Sequence, residues 1–415
     1  MASSGHAPGR RGGGSRRPAI VARAADAPLS VEETRAILAR HPLPRVREDA
    51  RIETAAGMVL AAAVRAERDL PPFDRAALDG YAIRLDGEWR EGAVFTILGR
   101  VHAGQRFPGR LQPGTAVQVM TGAPVPPGAD GVVMVERSTL VDSGRVRLTG
   151  PFLTKPARSS GEPAGELPAG GASTGSASKG TVVGKSPRRP GIADRGEDAR
   201  RGALLLQRGT LLRARHLAAA ASAGRVTLPV FRLPRVGLVT TGSEIVAAGA
   251  AISAEQIRDS NGPMLRGLLA GTAEMLGSWR ASDTLASLCA RIERAARADV
   301  VVLTGGVSAG EKDLVPDALR QCGFRIHLHR VAMRPGRPFL FATRSSGRDR
   351  RAAFGLPGNP VSVHVTAWEF LLPYLRRVAG QEAPDPWTVT ATSASAIRRQ
   401  PGLTHFVLGN MLVQE

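Results

Sequence analysis

Aromatic residues make up only 4% of this 415-residue chain and do not interleave with basic ones, so it offers no stacking platform for single-stranded nucleic acid. Its formal net charge is nevertheless +20. The excess is almost purely arginine, since Lys155, Lys179, Lys185 and Lys312 are the only lysines. Such a replacement of lysine by arginine along the whole chain reads as compositional drift rather than as a surface built for a polyanion. Cysteine is scarce as well: Cys289 and Cys322 stand alone, without Cys-x-x-Cys spacing, and read as ordinary thiols of a reducing compartment. No apolar run approaches the roughly 18 residues of a membrane span. Met1–Ala25 holds Arg10, Arg11, Arg16, Arg17 and Arg23 but neither a carboxylate nor the apolar core of a signal peptide. These absences predict a cytoplasmic protein with neither a membrane nor a nucleic-acid partner.

What the chain does contain is 43% apolar residues, enough to build real cores over its length. The most informative stretch is Val300–Asp313, VVVLTGGVSAGEKD. Its opening apolar run reads as a strand buried on both faces, because a half-buried strand would alternate. Gly305, Gly306 and Gly310 then fall at the strand's C-terminal end, where ligands bind in open α/β sheets and where glycine lets backbone amides approach a phosphate. Lys312, the one lysine outside 155–185, lies in this motif.

Around it the pattern predicts an α/β multidomain protein. Residues 1–26 form a disordered basic tail, and 27–70 with 191–231 a helical linker domain. That linker domain opens on a capping-box helix at Ser30-Val31-Glu32-Glu33, and a second helix-like stretch runs from Ile52 to Val64. Short β-like runs between Gly and Pro turns make 71–150 a small all-β module. Residues 151–190 are a low-complexity insertion rich in Ser, Gly, Ala and Pro. From 232 to 381 strand and helix alternate, which predicts a parallel-sheet α/β domain. Residues 385–415 leave room only for a truncated C-terminal β domain.

Several loops carry groups suited to phosphate chemistry. Asp74 and Asp79 precede a Gly80-Tyr81 turn, and Thr121-Gly122 ends a strand before a proline-stiffened loop. Thr240-Thr241-Gly242-Ser243-Glu244 repeats the strand-then-glycine arrangement and adds a carboxylate. Asp259, Ser260 and Asn261 sit at a helix N-terminus, with Ser260 the expected cap. Arg334 and Arg337 are held on a Pro-Gly turn, as a fixed pair for an oxyanion. Asn359 and Pro360 open another helix after Gly355-Leu356-Pro357-Gly358. Glycine loops, arginines, Lys312, Glu244 and Asp313 at one sheet edge suit a phosphorylated substrate with a divalent cation. His327 and His329 share a strand face but lack a third ligand for a metal.

With these motifs in register, the chain resembles the molybdopterin molybdenumtransferase family, meaning bacterial MoeA proteins and the E domain of gephyrin. PPFDRAALDGYA, MTGAPVPPGADGVVMVE, RGED, TGSE, DSNGPML, TGGVSAGEKD, RPGRPF and LPGNPVS carry the resemblance. It implies that 232–381 is the molybdopterin-binding domain. It also implies a reaction: Mg²⁺-dependent cleavage of adenylated molybdopterin with insertion of molybdate into the dithiolene, releasing AMP. By motif, Asp79, Thr121, Asp198, Glu244 and Asp313 become catalytic residues, with Asp79, Glu244 and Asp313 on the metal. Asp259, Gly305, Gly306, Ser308, Gly310, Arg334, Arg337, Pro357, Gly358, Asn359 and Ser362 become substrate-binding residues, the two arginines standing at the family's lysine positions.

The resemblance further implies a homodimer, in which the β module of one subunit covers the sheet edge of the other, and a molybdopterin adenylyltransferase as upstream partner. A catalytically weakened paralogue that binds molybdopterin, or acts as a scaffold, is the alternative. Departures concentrate at the end of the chain. Leu403 and Leu408 stand where the family carries two arginines, and the chain stops at Glu415 before a family serine. Both changes predict weakened molybdate binding, with His405 a partial substitute if protonated.

Overall fold

The computed structural model describes residues 28–150, 189–307, 313–347, 349–386 and 388–412. The basic tail, the insertion up to residue 188, and Ser308, Gly310 and Lys312 lie outside the described residues. The chain divides into two compact units, one made of residues up to Val46 together with those from Phe231 onward, the other of Arg47–Val230.

In the first unit six strands lie in the order Glu274–Ala281, Arg235–Thr241, Val300–Thr304, Asp349–Leu356, Leu340–Ser346, Arg325–His329. The first four are mutually parallel, with Val236 opposite Val300 and Val300 opposite Ala352. Leu340–Ser346 runs against both of its neighbours, so the parallel sheet carries one reversed strand. Val300–Thr304 is buried throughout, as its unbroken apolar run predicts. Val302 packs on one face with Leu265 and Leu269 of the helix Asn261–Leu269. Val301 and Leu303 pack on the other with Leu288 and Ile292 of the helix Leu285–Ala295. Each such side chain contributes about 1.5–3 kcal/mol on full burial. The registers bring the ends of Arg235–Thr241, Val300–Thr304 and Asp349–Leu356 side by side, so the loops at 242–244, 305–307 and 357–359 open on one edge.

The helix Val31–Arg40 has its full capping box, Ser30 and Glu33 each bonding the other's backbone amide. Val31 and Leu38 are buried with Val236 and Phe354, so this helix belongs to the α/β unit. Asn359 caps the helix Pro360–Thr366, which continues through a π-helical turn, Ala367–Leu371, into Leu372–Val378. Among the described residues from 388 on, where a truncated β domain is expected, the one strand is Thr404–His405, which pairs with Met333–Arg334. Phe406 packs against the core of the α/β unit, whereas Val407, Leu408, Met411 and Leu412 stay exposed.

The second unit contains a six-stranded sheet in the order Gly131–Met134, Gly80–Ile83, Thr115–Val119, Val94–Val101, Arg145–Leu148, Ser138–Asp142. Gly80 and Tyr81 are therefore strand rather than turn. Glycine is required at 80 because a Cβ there would lie 1.9 Å from the Val133 carbonyl oxygen. The helix expected over Ile52–Val64 does not form. Gly57 sits at φ +82°, and the amides of Leu60 and Ala61 bond the carbonyls of Thr210 and Pro229 instead of their own turn. Alanine's helix propensity loses here to long-range pairing.

Candidate active site

The three loop ends of the α/β unit enclose a cleft of about 480 Å³. Its floor is set by glycine. Gly305 takes φ +86°, and a Cβ on it would meet the Thr241 hydroxyl at 2.8 Å; Gly306 takes φ +61°. The Thr241 hydroxyl itself donates to the Thr304 carbonyl at 3.2 Å, tying two strand ends together.

Among the described residues four carboxylates line the cleft: Glu244, Asp259, Asp283 and Asp313. Two of them brace it. Asp259 accepts the Thr240 hydroxyl at 3.2 Å and the Gly262 amide at 2.8 Å, while Ser260 makes no capping hydrogen bond. The expected Ser260 cap is thus replaced by Asp259, whose side chain reaches the second residue of the helix. Asp283 accepts the Ser243 amide at 2.9 Å and fixes the loop that carries Glu244. The Glu244 carboxylate has no hydrogen bond among the described residues.

Two buried polar atoms on this wall stand out. Asn261 donates its side-chain amide to the Gly358 carbonyl at 2.8 Å, but among the described residues its Oδ1 has no partner, and neither does the Thr304 hydroxyl. Asn261 is 8% exposed and Thr304 1%. Buried polar groups are nearly always satisfied, so an orphan pair on a cleft wall is what a bound polar ligand would complete. The sequence offers Asn261 as one of three residues that cap a helix or meet a ligand there, but not its orphan oxygen, and nothing in the pattern distinguishes Thr304 from any strand end.

Of the other expected binding residues, Pro357, Gly358 and Asn359 line the cleft. The Asn359 side chain accepts the Val361 and Ser362 amides at 3.0 and 3.4 Å, so Ser362 contributes to the cap and is not on the wall. Arg334 and Arg337 are exposed and also absent from the wall, although Pro338 beside them belongs to it. His327 and His329 turn away, to the Thr343 hydroxyl at 2.7 Å and the Val307 carbonyl at 2.9 Å.

Asp79, Thr121 and Asp198 belong to the second unit. Thr121 bonds Asp79 through its amide and its hydroxyl, and these bonds hold the Asp79 carboxyl below the usual carboxylate range. Asp198 is exposed, without a side-chain partner among the described residues. Its loop is held by carboxylates. Asp69 accepts the Arg195 guanidinium at 2.8 Å and the Arg201 amide at 2.9 Å. Asp74 accepts the Arg189 guanidinium at 2.6 Å and the Arg195 amide at 3.0 Å. Burial works against ionisation of Asp74, yet these donors hold its carboxyl below the usual range.

The cleft's donor set is all oxygen, which suits Mg²⁺ and not a soft metal. Among the described residues no three His, Cys, Asp or Glu side chains converge on one point. Mg²⁺ does not require that, since it is usually held by one or two carboxylates together with substrate phosphates.

Comparison with known proteins finds two family matches along the chain. The MoeA N-terminal region (domain I and II) matches residues 29–224, and the probable molybdopterin binding domain matches 237–377. Molybdopterin molybdenumtransferase 2 of Mycobacterium tuberculosis is 34% identical over 80% of this chain and 75% of its own. The chain belongs to the molybdopterin molybdenumtransferase family. Another member, from Haemophilus influenzae, is 29% identical over 93% of this chain and 87% of its own length. The molybdopterin biosynthesis MoeA protein of Pyrococcus horikoshii has a similar structure, with a TM-score of 0.63 at 27% identity, over 86% of this chain and 81% of that one. The gap between the two family matches brackets Phe231, where the two units divide. No helix of the described residues is long and apolar enough to cross a membrane.

Proposed function

We propose that this family member works in molybdenum cofactor biosynthesis as a molybdenumtransferase, cleaving adenylated molybdopterin with insertion of molybdate and release of AMP. The observation that carries the reading is the cleft itself, where an oxygen-donor wall adjoins a glycine floor and two unsatisfied buried polar atoms. Gly305 and Gly306 allow backbone to come close to the phosphoanhydride. The Asn261 Oδ1 and the Thr304 hydroxyl, without partners among the described residues, are free to bond a substrate. Glu244 and Asp313 are the residues that would hold Mg²⁺, which supplies neutralisation of phosphate charge. Asp259 and Asp283 keep the wall rigid through their bonds to neighbouring loops. Asp79 and Thr121 act from the β module, in a cytoplasmic homodimer where they complete the cleft of a second subunit, and a molybdopterin adenylyltransferase supplies the substrate.

The test is incubation of the full chain with adenylated molybdopterin, Mg²⁺ and molybdate, reading AMP by chromatography and the pterin by mass spectrometry. AMP and a molybdenum-loaded pterin are expected, and chelation of Mg²⁺ should abolish both. Tight pterin binding without AMP release would leave the scaffold role instead. Glu244→Gln and Asp313→Asn should each raise the Mg²⁺ concentration needed, because an amide does not neutralise a cation.

A further inference from the structure

Arg266 on the helix Asn261–Leu269, Arg280 on the edge strand Glu274–Ala281 and Arg291 on the helix Leu285–Ala295 line one recess of about 540 Å³. Ser278 and Trp279 belong to its wall, and Asp259 belongs both to this recess and to the cleft, so the two adjoin. Among the described residues, none of the three guanidiniums has a hydrogen-bond or ion-pair partner. Elsewhere in the same unit arginines are matched, Arg232 with Asp299 at 2.8 Å and Arg344 with Glu293 at 2.6 Å. Asp259, the acid on the recess wall, is already engaged by Thr240 and Gly262.

Three unmatched cations around one concavity raise the local potential and concentrate an anion there. Guanidinium forks suit the paired oxygens of a tetrahedral oxyanion better than point charges do. The adjoining cleft has the opposite character, with four carboxylates on its wall, and by itself repels a dianion. We infer that the arginine recess is a second subsite, which binds a tetrahedral oxyanion, either molybdate or the phosphate of a nucleoside monophosphate, beside the acidic cleft. Only the choice of these two anions rests on the proposed reaction; the subsite itself rests on the three arginines.

The test uses the full chain with sodium molybdate, inorganic phosphate or AMP alone, at low ionic strength, followed by calorimetry and tryptophan emission. Molybdate and phosphate should each bind and change the emission, and Trp279→Phe should remove that change. The double variant Arg280→Gln with Arg291→Gln should weaken both by about tenfold or more, a loss of about 1.4 kcal/mol. Arg147→Gln, an exposed arginine of the second unit, should leave them unaltered. AMP binding more tightly than phosphate, and displacing it, assigns the subsite to the nucleotide; AMP binding no better assigns it to free oxyanion. Unchanged affinity in the double variant, or an equal loss in Arg147→Gln, overturns the inference. No pterin is present in this titration, so failure of the proposed reaction and failure of the subsite are read separately.

Discussion

Thr121 donates both its hydroxyl and its backbone amide to a single oxygen of Asp79, at 2.7 and 2.6 Å. The pair is a product of sheet register. Gly80 lies opposite Val119 in antiparallel strands, which brings Asp79, just before one strand, and Thr121, two residues after the other, to the same edge. One carboxylate oxygen is thereby fixed, while the other has no partner among the described residues.

Thr121→Val removes the hydroxyl and keeps the amide. With its leading donor gone, the Asp79 carboxyl should titrate closer to its ordinary value. Because the donors lower this pKa, their loss moves protonation to higher pH. The acid limb of AMP release should therefore shift upward in pH, with a loss of about tenfold or less at neutral pH. Asp79→Asn should cost more and show no such shift, since it has no carboxyl to titrate. A pH profile of adenylate cleavage checks both.

Gly305 and Gly358 offer a contrast within one cleft. Alanine at 305 must hold φ +86° and push against Thr241 Oγ1 and O, at 2.8 and 2.9 Å. Gly305→Ala should destabilise the chain by about 1–3 kcal/mol. At 358 the nearest atom to a Cβ is the Gly305 Cα, at 3.7 Å, an ordinary contact. Gly358→Ala should stay within about 0.5 kcal/mol. Thermal unfolding of the two variants beside the parent decides the comparison, and equal destabilisation would contradict it.

Legibility in the sequence follows how local each feature is. Val300–Thr304 announces itself because five consecutive buried positions leave no other use for such a run. The Ser30 capping box needs only four residues, and it forms as read. The failures are long-range. Ile52–Val64 has helical composition, but its amides belong to residues about 210 and 229, which no window spans. Gly80 looks like a turn glycine until Val133 is known to press on it. The candidate site divides in the same way. Glu244, Asp259, Gly305 and Asn359, each in a loop with its own signature, line the cleft. The orphan atoms of Asn261 and Thr304 depend on burial, and Arg266, Arg280 and Arg291 look like any of the chain's arginines until three separate elements bring them together.

Acid should loosen the α/β unit through a histidine pair. His41 and His327 stack with ring centroids 3.7 Å apart. Burial, then His41 and Arg325, push the His327 pKa down to about 4. The unfolded chain takes up this proton near pH 6.5, whereas the folded chain resists it until about pH 4. The unfolded state thus binds more protons between these values, and stability falls as pH drops through that window. His327→Phe keeps a ring against His41 and removes the titrating group. The slope of Tm against pH between about 6.5 and 4 should flatten in this variant, and an unchanged slope would exclude His327 as its source.

The last prediction concerns the strand at Thr404–His405. The expectation that a protonated His405 stands in for an absent arginine meets a geometric obstacle: the ring's Nε2 accepts the Gln400 amide at 3.0 Å. That bond takes up the Nε2 lone pair and turns the ring toward its own backbone. The segment is tied to the α/β unit by backbone, with the Phe406 amide on the Arg334 carbonyl at 2.8 Å and the Thr404 amide on the Ala332 carbonyl at 2.9 Å, and by the Phe406 ring against the unit's core. This pairing leaves the Arg334 side chain exposed and available. A guanidinium about 4 Å from a unit negative charge contributes roughly 4 kcal/mol at an effective dielectric of 20, before desolvation and screening reduce it. Arg334→Ala should therefore raise the molybdate concentration that half-saturates cofactor formation by about tenfold or more. His405→Ala should change it by less than about twofold, because only a ring turned toward its own backbone is removed. Titrating molybdate while measuring the metal-loaded pterin distinguishes the two residues. A loss in His405→Ala as large as that in Arg334→Ala would show that the histidine carries charge to the anion after all.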